Sequence, residues 1–509
     1  MKITLFALNS SFTHTNLAVR YIAYSLKQQS INADIAEFCL KDKHENILFD
    51  LYEKRSDIYG FSVYIWNRTE MLEFARELKM LLPCSKIIFG GPEVSFEDEG
   101  FFKKYPFVDS IISGEGEDAF CEFCNNPESY KHKCIKGSAN KESFKNSPIL
   151  YDIYPAKGDI LYYESSRGCP HRCSYCLSSL TSGVYAKSAE KTLSDLLEFE
   201  KLQSKPRIIK FIDRTFNFDL ERAKRIWREL CKDDYTLNYH FEICADKLDE
   251  EAFEILAKMP KGKIQLEAGI QSTNPETFKA INRTTDNGRA IENLKRIKSF
   301  ANIHIHADLI AALPYEDIAS LKRSFDETIG CCDKLQLGFL KMLRGSHIRL
   351  NAEAHGYRYT HTPPYTVIEN KYIDFKGMYS LFKMADVIDR IYSSERFEYT
   401  CEYVLGHAQS PFEFFEGFTN TLDKDIERIS QNDLRLMLFD YLSKAFADSE
   451  ALQRLALDTL IWENKNPPAL FRCHYTAHGK ESDLDIFTFN FDCEHRYYIN
   501  RTKHRVIIK

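Results

Sequence analysis

The chain has 509 residues, a net charge of −6 at neutral pH, 44% hydrophobic and 28% charged residues, the balance of a soluble globular protein of about three domains. A mean hydropathy of −0.39 and a pI near 6.2 exclude a general polyanion binder. No apolar run approaches the roughly 18 uncharged residues that cross a bilayer, so neither a membrane nor a nucleic-acid partner is expected.

Residues 1–140 alternate short apolar runs with amphipathic stretches. Strands are predicted at 2–8, 33–38, 57–63, 86–89 and 108–112, and helices at 16–29 and 69–82. That alternation predicts an α/β fold that opens with a parallel, doubly wound, Rossmann-like domain. Residues 125–147, rich in Asn, Lys, Ser and Glu, read as a linker or peripheral loop. A second series fills 155–345, with strands predicted at 160–165, 207–213, 238–243, 263–270, 302–310 and 334–340. Helices fall between them at 189–202, 220–232, 250–258, 286–300 and 318–329. Six β/α units in succession predict a curved, partial (β/α)6 barrel with its function at the carboxyl ends of the strands. Beyond residue 356 helical periodicity dominates at 374–393 and 434–446, strands are predicted at 484–492 and 496–509, and aromatics crowd into SPFEFFEGF at 410–418. A mixed α+β domain over 356–509 is expected, with no chemical signal of its own.

The opening MKITLFALNSSFTHT lacks a signal-peptide pattern. Fifteen cysteines without an export signal point to the reducing cytoplasm and away from a disulfide framework. Three of them stand out. Residues 165–179 read SSRGCPHRCSYCLSS, which puts Cys169, Cys173 and Cys176 in a Cys-x3-Cys-x2-Cys loop directly after the first barrel strand. Thiolates so close on one loop can converge on a single centre, and they favour iron–sulfur clusters or zinc. Zinc normally takes a fourth protein ligand, and His171 within the loop could supply it. A Cys3His zinc scaffold is therefore the rival to a [4Fe–4S] cluster held by three cysteines. Cys121 and Cys124, one helical turn apart in CEFC, have no matching second pair; like Cys331 and Cys332 they read as small buried hydrophobes.

The loop resembles the signature of the radical S-adenosylmethionine (SAM) superfamily, with Tyr175 just before the third cysteine, and the resemblance extends over about residues 158–345. FIDRTFNF at 211–218 is similar to the family's Phe-x-Asp-x-x-Phe, and LEAGIQS at 266–272 to its Glu-x-Gly-x-Gln-Ser. Asn282 and Arg283 resemble its Asn-Arg, and DLIAALP at 308–314 its Asp-x-Ile-x-Gly-Leu-Pro. Ala312 replaces the usual glycine there, so a less sharp turn is expected. The resemblance implies that Cys169, Cys173 and Cys176 hold a cluster whose open iron binds SAM, and that SAM is cleaved to a 5′-deoxyadenosyl radical. It also makes Tyr175, Asp213, Glu267, Gln271, Ser272 and Arg283 candidate SAM contacts. The plain alternatives are a helix-capping carboxylate at Asp213, a buried structural network at Glu267 and a surface arginine at Arg283.

FGGPEVS at 89–95 and SGEGEDA at 113–119 each follow a predicted strand. They resemble the Gly-Gly-x-x-x-Ser and Gly-Glu-Gly-Glu elements of cobalamin-binding radical SAM enzymes. Gly90, Gly91, Pro92, Glu93, Ser95, Gly114, Glu115 and Gly116 are thereby candidate cobalamin contacts. The Asp-x-His-x-x-Gly motif that ligates cobalt elsewhere is missing: Asp42-Lys43-His44 lacks the later glycine and His14 lacks the preceding aspartate. His14 reads as a loop histidine, and a degenerate scaffold that only shapes the substrate cleft is the alternative.

Taken together, the resemblance implies a cytoplasmic radical enzyme with a [4Fe–4S] cluster, SAM and cobalamin. It would methylate, or cyclise or rearrange, an unactivated carbon of a small molecule, in an architecture similar to anaerobic protoporphyrin ester cyclases. A reductant such as flavodoxin or ferredoxin is its expected partner. The alternatives are a cobalamin-free radical SAM enzyme and the zinc scaffold. Methylthio transfer to tRNA is not expected, because its enzymes carry a different N-terminal domain and a basic tail.

Overall fold

Two runs of short strands organise the computed structural model, which describes residues 1–181, 183–204, 206–447, 449–462 and 469–509. The first run builds a parallel sheet from β1 (Ile3–Asn9), β2 (Ala33–Cys39), β3 (Ile58–Ser62), β4 (Lys86–Gly90), β5 (Ser110–Ser113) and β6 (Lys133–Lys136). Their spatial order is β2-β1-β3-β4-β5-β6. β1 and β3 are buried at every position, because helices cover both faces. One face packs around Phe6, Phe61, Phe74 and Phe89, and the other around Leu5, Ile88, Ile112 and Phe120. The strand order reverses between β1 and β3, which opens a crevice at their carboxyl ends.

The expected linker at 125–147 is instead part of this sheet. β6 pairs parallel with β5, Ser110 opposite Lys133, and is followed by the helix Lys141–Asn146. Only Ile135 of its KCIK faces the core. An edge strand whose other side chains meet water carries lysines instead of the apolar run that marks an interior strand.

The second run forms β7 (Ile160–Tyr163), β8 (Ile208–Phe211), β9 (Asn238–Ile243), β10 (Ile264–Gln271), β11 (His304–Ala311) and β12 (Lys334–Phe339). All pair in parallel and in sequence order, with β7 and β12 as free edges, so the curved sheet is a partial barrel. Helices Leu220–Leu230, Glu250–Ala257, Asn287–Lys298 and Ile318–Ile329 start on Asp219, Asp249, Asp286 and Asp317, each of which accepts a first-turn backbone N–H. These caps set the boundaries that the sequence periodicity predicts. Burial alternates strictly along β10 and β11. Leu266, Ala268, Ile305 and Ala307 face the helices and join a core with Trp227 and Phe325. The intervening polar residues line a lumen.

The turn after β11 keeps its sharpness despite the alanine. Ala312 adopts φ +69°, a left-handed conformation that costs a non-glycine residue about 1–2 kcal/mol. Tyr357 OH and Asn370 Nδ2 each donate to its carbonyl at 3.0 Å and hold it there.

Helices Phe375–Ile391, Pro411–Asn420, Gln431–Ala445 and Glu450–Trp462 pack into the same core as the barrel. The aromatic run at 410–418 supplies that contact, with Phe412 and Phe415 edge-on to Phe325. An antiparallel sheet of β13 (Thr476–Glu481), β14 (Leu484–Phe489), β15 (Asp492–Asn500) and β16 (Arg505–Ile508) ends the chain. No helix among the described residues is long and apolar enough to cross a membrane.

Candidate active site

The cysteine loop leaves the carboxyl end of β7 and is gripped from three sides. Ser174 N–H donates to Ile281 O at 2.9 Å, Asn282 Nδ2 to Arg172 O at 3.0 Å, and Ile348 N–H to Ser174 O at 2.9 Å. Cys173 is buried, while Cys169 and Cys176 are half-buried. Arg283 lies across the loop: Nη1 reaches Cys173 Sγ at 3.7 Å and Tyr175 OH at 3.4 Å, and Nη2 donates to Gly269 O at 2.5 Å. Burial pushes the Cys173 thiol up, and the guanidinium partly offsets that by favouring the thiolate. Arg283 is thus a bridge between the cysteine loop and β10, not a surface arginine.

The donor geometry bears on which centre the loop can hold. A mononuclear tetrahedral zinc site sets its sulfurs roughly 3.8 Å apart. Among the described residues, the groups of three or more His, Cys, Asp or Glu with ligand atoms within 4.8 Å of one another do not include the loop cysteines. His171 turns away from them, its Nε2 lying 3.4 Å from Cys244 Sγ. The Cys3His arrangement is therefore not formed among the described residues.

The candidate SAM residues divide into three sets. Tyr175, Arg283 and Gln271 gather at the carboxyl end of β10. Gln271 takes φ +70°, and its Oε1, like Asn287 Oδ1, is a buried acceptor with no hydrogen-bond partner. Such orphaned acceptors call for donors from a ligand, and the ammonium and ribose hydroxyls of SAM are donors. Asp213 and Ser272 do something else. Asp213 is fully buried and accepts from Ser165 N–H at 2.8 Å, Ser165 Oγ at 2.5 Å and Ser166 Oγ at 2.7 Å. It anchors the entry to the cysteine loop instead of capping a helix or facing the cofactor side. Ser272 donates to Glu316 and accepts from Asn274 N–H inside a buried network.

Glu267 sits lower, in the lumen. His240 Nε2 donates to its Oε2 at 2.8 Å and Lys210 Nζ lies 3.2 Å away. Burial pushes this carboxyl up, but the His240 bond and the Lys210 charge outweigh it and hold it down at about 2. His306 is pushed down to about 3 by burial and by His304 and His240. Asp308 is pushed up to about 7 by burial and by Glu267 and Glu242. The lumen is a charged chamber that the sequence reading represented only by Glu267.

In the first sheet the two glycine turns close on backbone. At Gly91 (φ +116°) a Cβ would stand 2.4 Å from Val63 O, and at Gly114 (φ +83°) 2.9 Å from Gly137 O. Gly90 and Gly116 leave ordinary room beside them, Pro92 is exposed, and Ser95 Oγ donates back to Gly91 O at 2.8 Å. The two glutamates are engaged elsewhere. Glu93 is buried, accepts from Tyr365 OH and is flanked by Arg68 and Arg344. Glu115 accepts from Tyr185 OH and pairs with Arg167 at 2.6 Å. Arg167, two residues before Cys169, also pairs with Glu117 at 2.6 Å and Glu164 at 2.9 Å. Nothing local in the sequence marks this arginine, whose partners lie up to 52 positions away.

A cavity of about 740 Å³ runs along the edge strand β2 and the carboxyl end of β1, lined by Asn9, Phe12, His14, Ala33, Glu37 and Cys39. Phe12 and Trp66 are 71% and 44% exposed, and Trp66 stacks on Tyr64 at 4.3 Å. Exposed aromatics beside a crevice suit an apolar ligand. His14 reaches across to the barrel, its Nδ1 2.7 Å from Tyr162 OH. Cys121, Cys124, Cys331 and Cys332 are buried and free, as small hydrophobes should be.

Comparison with known proteins agrees with this layout. Residues 3–124 match the B12 binding domain, 163–327 the radical SAM superfamily, and 353–496 a family described as protein of unknown function (DUF4080). The chain is 25% identical over 310 residues to the 2-(S-pantetheinyl)-carbapenam-3-carboxylate methyltransferase of Streptantibioticus cattleyicolor, covering 54% of this chain and 44% of that protein. It is 23% identical over 323 residues to the hopanoid C-3 methylase of Methylococcus capsulatus, covering 58% and 60%. The chain thus spans about half the length of these curated relatives. Its fold is like that of the cobalamin-dependent SAM radical enzyme OxsB, solved with aqua-cobalamin and SAM: the TM-score is 0.60 at 17% identity, over 90% of this chain and 79% of that one. The matched domains carry the cofactors that the motifs imply, a [4Fe–4S] cluster with SAM in one and cobalamin in the other. The chain thus carries a radical SAM domain with a B12-binding domain ahead of it.

Proposed function

We propose that the chain is a cobalamin-dependent radical SAM methyltransferase that methylates an unactivated carbon of a small molecule, with flavodoxin or ferredoxin as reductant. One observation carries this: Cys173, Tyr175, Arg283 and the orphaned acceptor of Gln271 converge at one mouth of the barrel, and Arg167 ties that mouth to the Gly114 turn of the B12-binding domain. Curated relatives named as a methyltransferase and a methylase favour methyl transfer over cyclisation or rearrangement.

When bound, a [4Fe–4S] cluster with SAM supplies a carbon radical that takes hydrogen from an unreactive C–H, and cobalamin supplies the methyl group. Cys169, Cys173 and Cys176 are the cluster ligands in this scheme, and Arg283 keeps positive charge against the Cys173 thiolate. Gln271 and Asn287 orient donor groups of SAM through their free amide oxygens. Cobalamin contacts come from the turn backbones at Gly90, Gly91, Gly114 and Gly116, with Pro92 and Ser95 beside them. Glu93 and Glu115 act through the clamps they form. Those clamps and the His14–Tyr162 bond keep the two cofactor domains closed on each other and help exclude water from the reacting centre.

The test is an anaerobic incubation of reconstituted protein with SAM and a strong reductant. Release of both 5′-deoxyadenosine and S-adenosylhomocysteine is expected, and Cys173→Ala should abolish the former. 5′-Deoxyadenosine without S-adenosylhomocysteine would argue for rearrangement or cyclisation instead.

A further inference from the structure

β9, β10 and β11 lie side by side, and the pleat sends every second side chain of each into the lumen. Glu267 is paired in register with His306, and His240 stands one inward position before Glu242, the other register partner of Glu267. The candidate ligand atoms of His240, Glu267 and His306 all lie within 4.8 Å of one another. His240 is buried and the other two are half-buried, so the group is reachable from the chamber yet held by rigid strands. Glu267 precedes Gln271 by four residues on one strand, which separates this group from the SAM-side mouth by about 13 Å at 3.3 Å per residue.

We propose that His240, Glu267 and His306 form a second metal site, mononuclear and specific for a divalent first-row transition metal, inside the barrel lumen and separate from the cysteine loop. Two imidazoles and one carboxylate from three adjacent strands are a donor set that such metals take with coordination positions left over for water or a substrate. A purely structural hydrogen-bond network would need only the His240–Glu267 pair. His306 is drawn into the same group although its ring has no hydrogen-bond partner among the described residues, and its neighbours are the edges of His240 and His304. An imidazole so placed is a ligand in waiting; a metal at His240 Nε2 would displace the proton that Nε2 donates to Glu267 Oε2, with Nδ1 carrying the ring proton instead.

Lys210 is the competitor. Its ammonium lies 3.2 Å from Glu267 Oε2 and supplies the positive charge that a metal would bring. Removing that charge must strengthen metal binding, whereas removing a ligand must weaken it. The other close group of carboxylates, Glu221, Asp249 and Glu251, is exposed and already neutralised by Lys224; it supports no proposal and serves as a control.

Mn(II) is the probe, because it is paramagnetic and, as a hard cation, leaves the thiols alone. Reconstituted holoprotein is titrated anaerobically and free Mn(II) is followed by electron paramagnetic resonance. A single saturable equivalent is expected, weakened about tenfold or more in Glu267→Gln and His306→Gln, with iron and cobalt contents unchanged. Lys210→Met should bind Mn(II) more tightly than the parent protein, and Glu251→Gln should match it. Binding that is equal in all variants, or absent in both the parent and Lys210→Met, would overturn the site. If a ligand variant loses iron and cobalt along with Mn(II), Lys210→Met decides: tightening supports the site, and no change refutes it.

Discussion

The two parallel sheets of this molecule use the same number of strands and treat their faces in opposite ways. β1 and β3, reading ITLFALN and IYGFS, are buried end to end between two layers of helices. β10 and β11, reading IQLEAGIQ and HIHADLIA, bury alternate residues only. Covering both faces of a parallel sheet confines chemistry to the strand ends, where the glycine turns and the crevice lie. Covering one face and curling the other inward turns the strands themselves into the wall of a chamber, and polar residues then run down their length. Alternating polarity inside a parallel strand is thus a sign of a working interior.

The joint between these regions offers the largest effect. Arg167→Met would leave Glu115, Glu117 and Glu164 facing one another without their cation, a loss of about 3–5 kcal/mol by the measure of other buried pairs. The sheets should then unfold in separate steps in a calorimetric scan, with cobalamin retention falling; an unchanged single transition would show that the clamp does not couple them. At the end of the sandwiched sheet, Gly91→Ala forces a Cβ against Val63 O and should cost about 2 kcal/mol or more. Its expected signature is weaker cobalamin retention with the iron–sulfur spectrum intact.

Acid should distinguish the chamber from the sandwich. In the unfolded chain the His306 imidazole takes up a proton near 6.5, whereas in the folded chain it stays neutral down to about 3. Between those values the unfolded state binds more protons, so this contribution is complete above about 6.5 and is lost as pH falls, at up to about 1.4 kcal/mol per pH unit. Urea midpoints at pH 7 and pH 5 should therefore diverge in the parent protein and converge in His306→Gln; equal divergence in both would remove His306 from the explanation. The smallest effect is a gain: Ala312→Gly relieves a left-handed alanine and should add about 1 kcal/mol of stability if the Tyr357 and Asn370 bonds persist.

Local signals made much of this legible beforehand. The barrel strands and helices follow from alternation and from aspartate caps such as Asp219 and Asp249, which act within three residues. The cysteine loop is local too. What escaped depends on distance in sequence. Asp213 finds its partners 47 and 48 residues away, Glu115 meets Arg167 across 52, and the lumen group needs the register of three strands. β6 escaped for another reason, since an edge strand exposed to water carries no apolar run.

The most direct test of the two-cofactor assignment is elemental analysis of protein purified anaerobically with iron, sulfide and hydroxocobalamin supplied, measured beside Cys173→Ala. Iron with matching sulfide and cobalt on the same chain is the expected result, with iron alone lost in the variant. Zinc on the cysteine loop in place of iron would contradict it.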